Sequence, residues 1–233
     1  LDTHFSMMQK MGVEMERKNG QFFLSWKKKL DGNIFLDEAS VTATEMALMM
    51  GTAIKEGVTL ENAATEPHVT DLGTMLNKMG ANIKGLGTGT ISIKGGSLRG
   101  VEYKVMPDHI EGGTFIIASA ITGGHIKITD FIPEHHKMAL INLANMGVNY
   151  KLGDNSIEVF PSKLVATRKK FKAQPWPGFP TDLMSPFIVL ATQTQGTVLC
   201  HDWMYEWRMF FVDDLIGMGA NIFIADPHRV IVS

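Results

Sequence analysis

The feature that most constrains this chain is that it repeats itself. Met11-Gly12-Val13 returns as Met79-Gly80-Ala81, Met146-Gly147-Val148 and Met218-Gly219-Ala220, with 68, 67 and 72 residues between successive glycines. A second glycine, at Gly57, Gly124 and Gly196, stands 23 residues ahead of the last three. Two markers locked at one offset indicate a repeated supersecondary unit rather than a single irregular domain.

Each full copy reads strand, helix, strand, helix, strand, strand. In the first, the pattern predicts a strand over Asn33–Leu36, a helix over Val41–Lys55 and a strand over Val58–Glu61. A second helix over Glu66–Met79 and a hairpin of Asn82–Lys84 with Thr90–Lys94 complete it. The Met-Gly pair falls where glycine takes the left-handed conformation that ends a helix. Residues 1–26 read as the second half of a preceding copy. The chain starts at Leu1, already inside a helical pattern, and is expected to be a piece of a longer protein.

The two helices of a copy differ in kind. The second is amphipathic, with Val69, Leu72, Leu76 and Met79 on one face. The first is apolar nearly all round, as in Met46–Met50 with Ala53 and Ile54, and is expected to be buried on every side. Its start carries capping-box spacings, Thr42 with Glu45 and Asp108 with Glu111, and in the third copy Pro180-Thr181-Asp182 opens the helix. Helix N-termini favour anions, so several of them facing one cleft would suit an anionic ligand; ordinary capping explains the same residues.

Composition excludes several classes. A net charge of −2 argues against a binder that neutralises nucleic-acid phosphates, and Lys27-Lys28-Lys29 and Arg168-Lys169-Lys170 read as solvated surface. Cys200 is the only cysteine, so neither a disulfide framework nor a cysteine metal site is expected, and the compartment is read as reducing and cytoplasmic. No apolar run reaches about 18 residues, so no membrane-spanning helix is expected. His135-His136 has no metal-ligand partner at a suitable spacing and reads as surface. Cys200 reads as a buried residue of a strand.

Three stretches resemble the UDP-N-acetylglucosamine enolpyruvyl transferases. The first is Leu36-Asp37-Glu38-Ala39-Ser40-Val41-Thr42-Ala43-Thr44 followed by Glu61-Asn62-Ala63-Ala64-Thr65-Glu66-Pro67. The second is Pro107-Asp108-His109-Ile110-Glu111-Gly112-Gly113-Thr114-Phe115. The third is Phe179-Pro180-Thr181-Asp182 with Tyr205-Glu206-Trp207-Arg208. The similarity runs the whole chain in order.

The resemblance implies an α/β fold of two domains. Each is an inside-out α/β barrel of three βαβαββ repeats around buried central helices, with the active site between them. About 3.5 of the six repeats would be present. Residues 1–106 would be the second half of the first barrel and 107–233 about two repeats of the second. It also implies a reaction in which phosphoenolpyruvate is protonated at its methylene carbon. The 3-hydroxyl of UDP-N-acetylglucosamine then attacks the neighbouring carbon, and phosphate leaves. This is the first committed step of peptidoglycan synthesis, and no cofactor or metal is implied.

The site residues follow from the same resemblance. Asp182 matches the aspartate at the sugar hydroxyl, the proposed base, and Arg208 a cleft arginine. Leu1, Asp2, Thr3 and His4 match the segment framing the uracil ring. Glu38, Ala39, Ser40 and Val41 match the loop at the uridine and diphosphate end. Glu66 and Asp108 match acidic positions lining the cleft, and Met204 a backbone contact to the nucleotide sugar.

The chain departs from the pattern at Glu38, Thr42, His109 and Trp207, where the family usually carries lysine, glycine, arginine and asparagine. The loop with the proton-donating cysteine and the lysine that binds phosphoenolpyruvate would precede Leu1, so this chain by itself is expected to lack transferase activity. Three other readings remain: a sister enzyme acting on shikimate 3-phosphate, a non-catalytic repeat protein, and an RNA-processing relative with similar units. Barrels cut short would expose apolar helix faces and favour self-association.

Overall fold

The computed structural model describes residues 1–205 and 207–233. It divides into two compact units, Leu1–Met106 and Pro107–Ser233. Each is taken by itself below.

The first unit opens with helix α1 (Asp2–Lys10) and an antiparallel hairpin, β1 (Glu14–Lys18) with β2 (Gln21–Ser25). Then follow β3 (Gly32–Phe35), α2 (Val41–Gly51), β4 (Val58–Glu61), α3 (Pro67–Met79), β5 (Asn82–Lys84) and β6 (Thr90–Lys94). The four strands form one sheet in the order β3-β4-β6-β5, parallel between β3 and β4 and antiparallel elsewhere. Alternation drives this sheet: Val58, Leu60, Ile91 and Ile93 point into the core while their neighbours in sequence do not. Met7, Ala47, Leu48, Val69 and Leu76 cover them from the three helices.

The second unit holds α4 (His109–Thr122), β7 (Ile126–Thr129), a 3-10 turn (Pro133–His136), α5 (Lys137–Asn145), β8 (Asn149–Gly153) and β9 (Ser156–Phe160). A further copy follows: β10 (Lys170–Lys172), a 3-10 turn (Thr181–Leu183), α6 (Met184–Thr192), β11 (Val198–His201), α7 (Val212–Gly217), β12 (Ile222–Asp226) and β13 (Arg229–Val232). The last sheet runs β10-β11-β13-β12, the order seen in the first unit; β7-β9-β8 has three strands in the corresponding sequence. Phe187 on α6 packs against Phe171 at 4.7 Å and Phe179 at 5.2 Å, at the centre of the core. These sheets are separate and open, giving a mixed α/β fold.

Several expectations need correction. Thr42 does not cap α2; Ser40 does, its Oγ accepting the N–H of Ala43 at 3.3 Å. The helix stops at Gly51 rather than Lys55, where a Cβ would meet Ile93 at 2.8 Å. The apolar first helices are not covered on every side within their units: Met49 on α2 is 51% exposed and Phe115 on α4 is 54% exposed. His136 is not at the surface. It is buried, stacked on Phe131 at 3.8 Å, with Nδ1 2.8 Å from the Ile132 carbonyl. Burial holds its imidazole below its ordinary pKa, against the pull of that carbonyl.

The repeated Met-Gly pair has a physical cause. The methionine carbonyl receives a backbone N–H from the linker leaving the same copy: Leu30 to Met11 at 3.2 Å, Arg99 to Met79 at 2.9 Å, Val165 to Met146 at 3.1 Å. The linker passes so close that a Cβ on Gly12 would lie 2.1 Å from the Lys28 oxygen, and one on Gly147 2.6 Å from that of Lys163. All four marker glycines have positive φ, between 84° and 117°. At Met218, 83% exposed, and Gly219, the space is open.

Among the described residues no helix is long and apolar enough to cross a membrane. Cys200 is fully buried in β11, and burial pushes its thiol up to about 12.

Candidate active site

In the first unit the starts of three helices gather at one end. His4 Nε2 on α1 lies 2.8 Å from Thr42 Oγ1 on α2. Thr44, in the first turn of α2, accepts the N–H of Ala64 at 3.0 Å, just ahead of α3. The loops beneath are tied together by Leu36 N–H to the Glu61 carbonyl at 3.0 Å and Asn62 Nδ2 to the Leu36 carbonyl at 2.9 Å. Asn62 takes the left-handed conformation that lets its amide turn back in this way.

This end therefore brings together His4, Ser40, Val41 and Glu66. Thr3 is buried beneath them, and Leu1 and Asp2 lie exposed at the start of α1. Glu38 and Ala39 are exposed on the loop, in a tight turn closed by Ser40 N–H to the Glu38 carbonyl at 2.7 Å. Glu66 precedes Pro67 at the start of α3, but its carboxylate makes no capping bond, and its buried Oε2 has no partner among the described residues. Capping thus does not account for this side chain. Ser40 by contrast is occupied in capping.

In the second unit Asp108 caps α4, its Oδ1 accepting from Ile110 N at 2.7 Å and Glu111 N at 3.3 Å. Asp182 sits on the 3-10 turn ahead of α6 and does not cap it. Its carboxylate instead forms an ion pair with Arg208, 26 residues later. Gly113 allows the turn to pack on α4, where a Cβ would lie 2.7 Å from Leu183. The Arg208 guanidinium also lies over the Tyr205 ring, 4.9 Å from its centroid. Trp207, at φ 64°, stacks on Phe210 at 4.9 Å. Glu206, part of the same sequence motif, lies outside the described residues.

Two residues with no motif signal hold this corner. Asp202 is fully buried, and its carboxylate accepts the Thr181 hydroxyl and, at 3.1 Å, the Met204 N–H. Its backbone is clamped to the β12–β13 turn by Asp202 N–H to the His228 carbonyl and by the His228 ring on the Asp202 carbonyl, each 2.9 Å. A buried carboxylate must find such donors, because leaving it unpaired in a low dielectric is costly.

Chemically, the second-unit corner offers a carboxylate beside a permanent cation. Arginine holds anions through a planar fork of donors, and a carboxylate within reach of a hydroxyl serves as a base. Among the described residues no cluster of histidine, cysteine, aspartate and glutamate could hold a metal ion.

Comparison with known proteins follows the same lines. The chain is 42% identical over 241 residues to UDP-N-acetylglucosamine 1-carboxyvinyltransferase of Borrelia garinii subsp. bavariensis, covering all of this chain and 56% of that protein. It is 44% identical over 243 residues to the enzyme so named in Treponema denticola, with the same coverage. The chain thus spans about half the length of the curated relatives it matches, 56% in these two. The crystal structure of the enolpyruvyl transferase NikO from Streptomyces tendae superimposes with a TM-score of 0.86 at 25% identity, over 99% of this chain and 58% of that one. EPSP synthase from Acinetobacter baumannii shares the fold, with a TM-score of 0.68 at 18% identity, over 100% of this chain and 56% of that one. The model of one family covers residues 1–231 without a break, and the chain belongs to that family, EPSP synthase (3-phosphoshikimate 1-carboxyvinyltransferase).

Proposed function

We propose that this chain is the greater part of an enolpyruvyl transferase that moves the enolpyruvyl group of phosphoenolpyruvate to the 3-hydroxyl of UDP-N-acetylglucosamine in the cytoplasm, committing that sugar to peptidoglycan. The observation that carries the reading is the Asp182–Arg208 pair, set on a chain 42 to 44% identical over its whole length to proteins named for this reaction.

In this reading Asp182 accepts the proton of the sugar hydroxyl, and Arg208 orients that carboxylate and stabilises negative charge as phosphate departs. Leu1, Asp2, Thr3 and His4 frame the uracil ring, and Glu38, Ala39, Ser40 and Val41 meet the uridine and diphosphate. Glu66 and Asp108 are acidic substrate-binding residues, one in each unit. Met204 contacts the nucleotide sugar through its carbonyl, since its N–H is taken by Asp202. Residues 1–106 form the second half of one inside-out barrel and 107–233 about two repeats of another. The chain alone is inactive and self-associates through its apolar helix faces. Nucleic acid is not a partner.

A second reading, transfer to shikimate 3-phosphate, is favoured by the description of the matching family. A residue-resolved NMR titration of the chain separates the two. Saturable shifts at Ser40, Asp182 and Met204 with UDP-N-acetylglucosamine alone support the first reading. The same shifts with shikimate 3-phosphate alone support the second.

A further inference from the structure

The Asp182–Arg208 pair is half open to water, with side chains 58% and 29% exposed. An ion pair so placed contributes little and does not fix its own geometry. The two residues come from segments with no regular structure in common, a single 3-10 turn and the stretch after β11. Something beneath must hold them in register, because a base misplaced by an ångström loses much of its effect.

We propose that Asp202 is that support, a positioning residue that sets Asp182 against Arg208 without touching substrate. The proposal rests on the reading of that pair as functional. One carboxylate oxygen accepts the hydroxyl of Thr181, the residue before Asp182. The other accepts the N–H of Met204, four residues before Arg208. Asp202 is itself immobilised from below, since both backbone hydrogen bonds to His228 anchor it to the β12–β13 turn. The turn bearing the base and the segment bearing the cation therefore meet on one buried carboxylate, mounted at the end of β11, an inner strand of its sheet. Sites supported in this way keep their geometry, while loops left to themselves do not.

The test uses two near-isosteric variants of the 233-residue chain, Asp202→Asn and Thr181→Val, with Thr181→Ser as the rescue. The readouts are proton exchange at the Arg208 guanidinium and the carboxyl-carbon shift of Asp182 at fixed pH, with no ligand present. Exchange is expected to quicken about tenfold, the factor that loss of roughly one buried hydrogen bond gives. The Asp182 carbon is expected to move, and Thr181→Ser to restore both signals. Variants that fold, lose melting temperature and leave both signals unchanged would show Asp202 to be structural only, and would overturn the proposal. If Asp202→Asn does not fold, Thr181→Val alone decides, since it removes one hydroxyl and no charge. Absence of any UDP-N-acetylglucosamine shift at Asp182 in the parent chain would count against the proposed function alone, because the coupling is read without ligand.

Discussion

The hydroxyl of Thr44 accepts the backbone N–H of Ala64 at 3.0 Å and donates to the Ser40 carbonyl at 2.7 Å. One fully buried side chain thus joins the first turn of α2 to the loop that leads into α3. Thr44→Val keeps the shape and orphans the Ala64 N–H. It is expected to cost about 1–3 kcal/mol, the desolvation penalty of an unpaired buried donor. Urea unfolding of the chain measures this, and Thr44→Ser should recover most of the loss.

Two glycines of the repeat marker should respond differently to alanine. Gly219→Ala meets open space and should cost about 1–2 kcal/mol for the left-handed conformation alone. Gly147→Ala adds a Cβ 2.6 Å from the Lys163 oxygen and 2.8 Å from the Val165 nitrogen, both backbone. Its cost should exceed that of Gly219→Ala by about 1–3 kcal/mol, as overpacking does. Equal midpoint shifts in chemical unfolding would contradict the close approach of the linker.

His136 gives the second unit a sensitivity to acid. Its folded pKa lies below the ordinary 6.5 of a free imidazole, chiefly through burial. Below pH 6.5 the unfolded chain therefore takes up a proton that the folded one resists, and stability falls as pH falls. The melting temperature of the parent chain should drop more steeply below pH 6.5 than that of His136→Phe.

Cys200 should behave in the opposite sense at alkaline pH. Its thiol is held protonated up to about 12, against 9.0 for a free thiol, by burial. Above pH 9 the unfolded state loses a proton that the folded state keeps, so stability falls as pH rises from about 9. At pH 8 a thiol reagent should label the chain only at the rate of unfolding. Rapid labelling under native conditions would contradict its burial.

The repeat and its strands were legible because alternation and glycine punctuation are local signals: β4, β5 and β6 fall where the pattern puts them. The cap of α2 was not, since Ser40, Thr42 and Thr44 all lie within five residues and only the path of the chain selects Ser40. The burial of His136 depends on Phe131 and on the room left by Gly112, where a Cβ would lie 2.9 Å from Nε2. At the candidate site, Asp182 and Arg208 were visible through resemblance and not through spacing. Asp202 gave no signal, because its side-chain partner is Thr181, 21 residues upstream. Residues that match a motif can be named from the sequence; a buried carboxylate such as Asp202 is recognised only by what it touches.

The linker that passes over the first three Met-Gly pairs also settles what counts as a module in this molecule. A copy cut at the end of its hairpin, at Ser25, Lys94 or Phe160, loses the strip of backbone that latches its own helix end. The portable unit runs several residues further, through Leu30, Arg99 or Val165. Recombination between relatives should tolerate joints beyond those residues and fail at joints before them, although the earlier boundary is the one that secondary structure suggests.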